Sequence, residues 1–139
     1  MTYKKAFVDS DILLDLLLER DLFVDYSRAL LTTTTQNLIK LYTSTLILAN
    51  IHYVISKNTN KHIALNSLKY IVNHIEILPF EALHLNLAIS GEHIDFEDSI
   101  QYYIAKQSNC DLIISRNIKH YNKFDIPVLT AEQLLRNIL

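Results

Sequence analysis

Lys5-Ala6-Phe7-Val8-Asp9-Ser10-Asp11-Ile12-Leu13-Leu14-Asp15-Leu16-Leu17-Leu18 is a short β-type run that stops at an acid and gives way to a leucine block of helical density. Lys5 to Val8 reads as a strand, Ser10 as an N-cap, and the leucines as a helix that ends near Glu19-Arg20-Asp21. Asp9 stands where the apolar strand ends. A carboxylate there loses hydration and needs a partner, so Asp9 is hard to read as mere punctuation.

Working outward, a second helix is expected over 26–39, with a break at Thr32-Thr33-Thr34-Thr35 because β-branched residues are poor helix formers. A strand at 41–43 follows, and Ser44 or Thr45 then caps a helix reaching Ile55. Residues 60–75 form the clearest amphipathic stretch, with Ile63, Leu65, Leu68, Ile71 and Val72 at helical spacing. The alternation over 75–78 before Pro79 is a strand signal, and 82–89 reads as a short helix stopped by Gly91. Leu112-Ile113-Ile114 is a buried strand and Val128-Leu129 a short last one, while Thr130-Ala131-Glu132-Gln133 has the spacing of a capping box.

Strands alternating with helices imply parallel pairing through right-handed crossovers, hence a three-layer α/β/α sandwich around a mainly parallel sheet. Ligands of such sheets bind outside the carboxyl ends of the strands. Asp9 follows the first strand and Asn117 follows Leu112-Ile113-Ile114, so both fall on that edge.

The second acidic segment, Asp95-Phe96-Glu97-Asp98, opens an amphipathic run through Lys106. Asp95 and Asp98 lie three apart and share a helix face. Asp95 equally fits an N-cap, and Asp98 the positive helix end; Asp11 and Asp15 read as first-turn and surface-facing acids. Carboxylates gathered across a cleft repel unless a positive charge lies between them, and a hard divalent cation is the usual occupant.

The bulk numbers narrow the field. With 139 residues the chain reads as a single domain, 1–139, able to bury roughly 68% of its unfolded surface. One glycine and two prolines leave no glycine-rich phosphate loop, which removes the usual dinucleotide and P-loop docking devices. Cys110 is the only cysteine, so neither an internal disulfide nor a multi-thiolate zinc site is available. No apolar run approaches the roughly 20 residues of a membrane span, and a cytoplasmic location is expected. The net charge of −2 neither requires nor excludes nucleic acid, since Arg20, Lys40, Lys57, Arg116 and Lys119 could flank an acidic site. His52, His62, His74, His84 and His93 show no metal-ligand spacing, and His120 reads as a loop residue.

Phe7 to Leu17 resembles the opening of PIN domains, usually Asp-Thr/Ser-Asn followed by leucines. Thr45-Leu46-Ile47-Leu48-Ala49-Asn50-Ile51-His52-Tyr53-Val54-Ile55 is similar to their second motif, and Asp95-Phe96-Glu97-Asp98-Ser99-Ile100-Gln101-Tyr102 to the third. Ser115-Arg116-Asn117 through Tyr121, then Ile126-Pro127-Val128-Leu129-Thr130, resembles the fourth motif and the C-terminal end. The elements occur in order over nearly the whole chain.

The resemblance implies a Mg²⁺- or Mn²⁺-dependent endoribonuclease, the toxin of a toxin–antitoxin pair. Asp9 and Asp98 would hold the cation, Asp95 would assist, and Asn117 would hold a water beside it. Arg116 and Lys119 would meet RNA phosphates, and the implied partners are RNA, a cognate antitoxin protein and a second copy of the chain. Two departures stand out. Asn50 replaces the second motif's usual Glu and brings no charge, and Asp11 replaces the first motif's usual Asn, adding an acid nearby. A catalytically weak module of the same fold that binds RNA or protein is the rival reading. A phosphoryl-accepting signalling domain is disfavoured, because the middle strands end at Thr43-Ser44 and Leu78-Pro79 with no acceptor Asp.

Overall fold

The computed structural model describes residues 3–92 and 95–138, so His93 lies outside the described residues. Five strands form one all-parallel sheet: β1 (Lys5–Val8), β2 (Lys40–Ser44), β3 (Glu76–Leu78), β4 (Leu112–Ile114) and β5 (Val128–Leu129), in the order β3-β2-β1-β4-β5. The helices are α1 (Ser10–Leu17), α2 (Val24–Thr35), α3 (Thr45–Asn58), α4 (Lys61–His74), α5 (Ala82–Gly91), α6 (Phe96–Gln107) and α7 (Ala131–Ile138), with a 3-10 turn at Ile118–Tyr121.

Right-handed crossovers that step from β1 to β2 to β3 place α1 to α4 on one face, where α1 packs on α2 and α3, and α3 on α4. The return step to β4 places the packed pair α5 and α6 on the other face, and α7 packs on α2. The expected three-layer α/β/α sandwich is therefore the one found. Coverage of both faces explains why the central strands are continuous apolar runs: Ala6, Phe7, Val8, Leu112, Ile113 and Ile114 are all fully buried. No helix among the described residues is long and apolar enough to cross a membrane.

Local expectations failed at three places, each for a definable reason. Asp9, not Ser10, is the N-cap of α1: its backbone is extended (φ −75°, ψ 163°) and its Oδ1 accepts from the Ser10 amide at 2.8 Å. The threonine run does not break α2. The hydroxyls of Thr33 and Thr34 donate back to the carbonyls of Leu30 and Leu31 at 2.6 and 2.7 Å, so the helix runs on and ends at Thr35, short of the expected Ile39. Asn37 then turns the chain at φ 55° toward β2. Gly91 does not terminate α5; it is the last helical residue, and Glu92 takes the left-handed position at φ 53°. The other signals are met, including the reciprocal cap of α7, where the Gln133 amide donates to Thr130 Oγ1 at 3.1 Å and the Thr130 amide to Gln133 Oε1 at 2.9 Å.

Candidate active site

The sheet begins at its middle. From β1 the chain builds outward through β2 and β3, then returns to add β4 and β5 on the other side. The crevice outside the carboxyl ends of β1 and β4 is thus the switch point where such sheets accept ligands. Asp9 follows β1 and Ser115 follows β4. Each is held in place by one further ladder bond, from Asp9 N–H to Ile114 O at 2.9 Å and from Ser115 N–H to Leu129 O at 3.0 Å. The N-terminus of α6 delivers Asp95 and Asp98 to the same mouth, and the 3-10 turn delivers His120 and Tyr121. The result is a cleft of about 470 Å³ lined by Asp9, Asp11, Asp95, Asp98, Asn117 and His120 among others.

Hydroxyl groups organise the acids. Asp9, 7% exposed, takes the Ser115 and Tyr121 hydroxyls on Oδ2 at 3.0 and 2.9 Å. The same Tyr121 oxygen lies 3.3 Å from Asp98 Oδ1, and the same Ser115 oxygen 3.4 Å from Asp11 Oδ2. Each hydroxyl has a single proton, so both are shared between carboxylates. Asp11 Oδ2 also accepts from the Arg116 amide at 3.0 Å and from Asn117 Nδ2 at 3.2 Å, whereas Asp11 Oδ1 is buried with no hydrogen-bond partner. His120 Nδ1 lies 3.1 Å from Asp98 Oδ2.

The electrostatics follow from this crowding. Burial raises the Asp9 carboxyl above its ordinary value, against the opposing hydrogen bonds from Ser10, Tyr121 and Ser115. Burial first and the Asp9 charge second push both Asp11 and Asp98 up to about 6. Burial, with the charges of Asp9 and Asp98, raises the Tyr121 phenol, which keeps it a donor. An orphaned carboxylate oxygen, shared hydroxyl protons and acids held above their ordinary range are what a cluster of oxygen donors shows when positive charge is short. The donor set is carboxylate oxygen with one imidazole, and it fits a divalent cation.

Of the residues singled out in the sequence, Asp9, Asp11, Asp95, Asp98 and Asn117 come together at the cleft. Asp95 precedes α6 without capping it through its side chain, which leaves the carboxylate at the mouth. Asn50 does not join them; it is exposed on the second turn of α3 and is not among the lining residues. Asp15, expected on the surface, is 1% exposed and accepts a bidentate pair from Arg116 Nε and NH2 at 2.8 and 3.0 Å. The Arg116 guanidinium also stacks 4.1 Å from the Phe23 ring, so it is committed to Asp15 and not to the cleft. Lys119 is exposed beside His120. Ser115, Tyr121 and His120 went unassigned in the sequence. Their signals are a polar tract directly after a buried strand and a place in the stretch that resembles the fourth PIN motif, and which of them line the cleft depends on the 3-10 turn.

The sheet and cleft together define a parallel α/β protein with an acidic, cation-type mouth at its switch point. The sequence profile of the PIN domain matches residues 5–119. A protein of Aquifex aeolicus (strain VF5), Ribonuclease VapC1, is 35% identical over 138 residues, spanning 96% of this chain and 94% of that protein. The chain belongs to the PIN domain family. A chain in the structure of DNA-bound VapBC from Salmonella typhimurium superposes with a TM-score of 0.72 at 13% identity, covering 92% of this chain and 98% of that one. A chain of VapBC2 from Rickettsia felis, bound to a DNA fragment from the promoter, gives 0.68 at 18% identity, covering 90% and 96%. At such identities the likeness is one of fold.

Proposed function

We propose that this protein is a divalent-cation-dependent endoribonuclease and the toxin of a toxin–antitoxin pair. The observation that carries the reading is the convergence of Asp9, Asp11, Asp95 and Asp98 on one cleft, in a chain 35% identical to a named ribonuclease over nearly its full length. Asp9, Asp98 and Asp95 would hold the ion, with Asp11 beside them. When bound, Mg²⁺ or Mn²⁺ supplies Lewis acidity and neutralises charge building on the attacked phosphate.

The chain's own residues do the positioning. Ser115 and Tyr121 hold the Asp9 carboxylate from one side, and Tyr121 holds Asp98 from the other. Asn117 fixes Asp11 through its side-chain amide and lines the cleft, where it would hold a water beside the ion. Lys119, exposed and next in sequence to the lining residue His120, would offer positive charge to the RNA backbone, since Arg116 is engaged by Asp15. The relatives of similar fold occur in VapBC complexes, which supports an antitoxin as protein partner. A second copy of the chain has exposed apolar surface available on α5 at Leu83 and Leu87.

The weak-binding alternative starts from Asn50, which brings no charge. Against it, Asp11 brings a carboxylate to the cleft. The test is cleavage of structured and unstructured RNAs in Mg²⁺ or Mn²⁺, against chelator and against Asp9→Asn. Loss of cleavage by about a thousandfold or more is expected for the variant, as for removal of a principal stabiliser of transition-state charge. Equal cleavage by both proteins overturns the assigned site.

A further inference from the structure

We infer that His120 is a nitrogen ligand of the cleft's cation, and that it biases the site toward transition ions such as Mn²⁺ over Mg²⁺. The inference rests on the reading that the cleft holds a divalent cation, and it concerns a residue that the carboxylate argument leaves aside.

Position is the first argument. One donor atom each from Asp95, Asp98 and His120 lies within 4.8 Å of the others. These residues come from two elements, the start of α6 and the 3-10 turn, so the grouping is made by tertiary packing and not by spacing along one helix. Successive residues of the turn reach the two oxygens of Asp98, the Tyr121 hydroxyl at 3.3 Å from Oδ1 and His120 Nδ1 at 3.1 Å from Oδ2. Tyr121 is buried to 1% exposure, so the turn is anchored and the imidazole is carried with it.

Geometry is the second. Two donors each about 2.1 Å from one ion and at right angles are about 3.0 Å apart. The 3.1 Å between His120 Nδ1 and Asp98 Oδ2 therefore suits neighbouring ligands of an octahedral ion as well as it suits a hydrogen bond. Trans ligands sit about 4.2 Å apart by the same arithmetic, so the 4.8 Å group needs only a small contraction to close on one ion.

Independently, Asp11 at the same cleft keeps one carboxylate oxygen, Oδ1, buried without a partner, so its charge is incompletely met by the protein. The second-motif position on α3, Asn50, is exposed and not among the residues that line the cleft. An imidazole ligand changes selectivity without adding charge. Mg²⁺ favours oxygen ligands and retained water. Mn²⁺ accepts the same oxygen ligands but, as the first member of the first-row series whose affinity for nitrogen donors rises along it, gains from an added imidazole where Mg²⁺ does not.

Calorimetric titration of the cation-free protein with Mn²⁺ and with Mg²⁺ tests the affinity, and electron spin-echo spectroscopy of the Mn²⁺ complex reads nitrogen coordination directly. The expected result is a preference for Mn²⁺ and a nitrogen modulation of the Mn²⁺ signal. In His120→Ala and in His120→Gln the modulation disappears and Mn²⁺ affinity falls by about tenfold, while Mg²⁺ affinity changes by less than about twofold. Mn²⁺ bound without the nitrogen modulation, or both ions weakened equally by His120→Ala, overturns the inference. In either case, Mn²⁺ binding that is lost in Asp9→Asn leaves the nuclease reading standing. A wild-type chain that binds neither ion overturns both.

Discussion

Arg116 illustrates how one residue changes meaning between sequence and structure. Following a buried strand, in a stretch that resembles the fourth motif of PIN domains, it looks like a phosphate contact. In the fold its guanidinium lies on the ring of Phe23 and satisfies both oxygens of Asp15, a carboxylate with 1% exposure that Arg20 also approaches at 3.5 Å. Removing one partner of such a pair strands a buried charge, which costs about 3 kcal/mol or more. Arg116→Ala is therefore expected to lower the melting temperature by about 10 °C, with RNA affinity of the folded fraction little changed. Scanning calorimetry and filter binding check this; unaltered stability with lost RNA binding would return Arg116 to the phosphate role. The amide of the same residue donates to Asp11, so position 116 serves the cleft through its backbone while its side chain serves the core.

At the scale of elements, the cleft depends on how α6 is held against the carboxyl end of the sheet. Ser44 closes β2 and caps α3, accepting from the Ile47 amide at 3.1 Å, and its hydroxyl donates to Gln101 Oε1 on α6 at 2.8 Å. Its neighbour Thr43 donates to the carbonyl of Val8, just before Asp9, at 3.0 Å. These two short side chains tie β1, β2 and α6 into one frame on which Asp9 and Asp98 are mounted. Ser44→Ala removes a helix cap and leaves the buried Gln101 carbonyl without its donor, for an expected loss of about 2 kcal/mol. Urea unfolding measures it. A companion fall in Mn²⁺ affinity is expected because α6 is then less firmly placed; a variant as stable as the parent would show that the Ser44–Gln101 link does not hold α6.

For the whole molecule, the acidic cleft couples folding to pH and, on the proposed function, to a divalent cation. Asp11 and Asp98 keep their protons to about pH 6 when folded, against an ordinary 3.8. Between those values the folded chain binds more protons than the unfolded one. Their contribution to stability is thus fully present below about pH 4 and is lost as pH rises through about 6. Partial exposure of Asp98 reduces its share through solvent screening. In chelator, the melting temperature is expected to be about 5 °C higher at pH 5 than at pH 7.5. Saturating Mn²⁺ or Mg²⁺ should raise it at pH 7.5 far more than at pH 5, because the ion competes with protons for the same oxygens. Melting curves that are flat with pH and indifferent to metal would remove the cleft as a cation site.

The element order, the parallel α/β class and the two acidic segments were legible along the chain because each depends on local pattern: apolar runs, helical spacing, an acid at a strand end. The lengths of α2 and α5 were not, since threonine hydroxyls bonding back to the helix and a glutamate in a left-handed turn are outcomes of context. The gathering of Ser115, Tyr121 and His120 at the cleft was likewise hidden, as was the engagement of Arg116 by Asp15. Which acids share one proton, which oxygen goes without a partner and which cation is already taken are pairwise facts between residues up to 112 apart in sequence. Only the packed sheet, by bringing the carboxyl ends of β1 and β4 under the start of α6, creates those pairs.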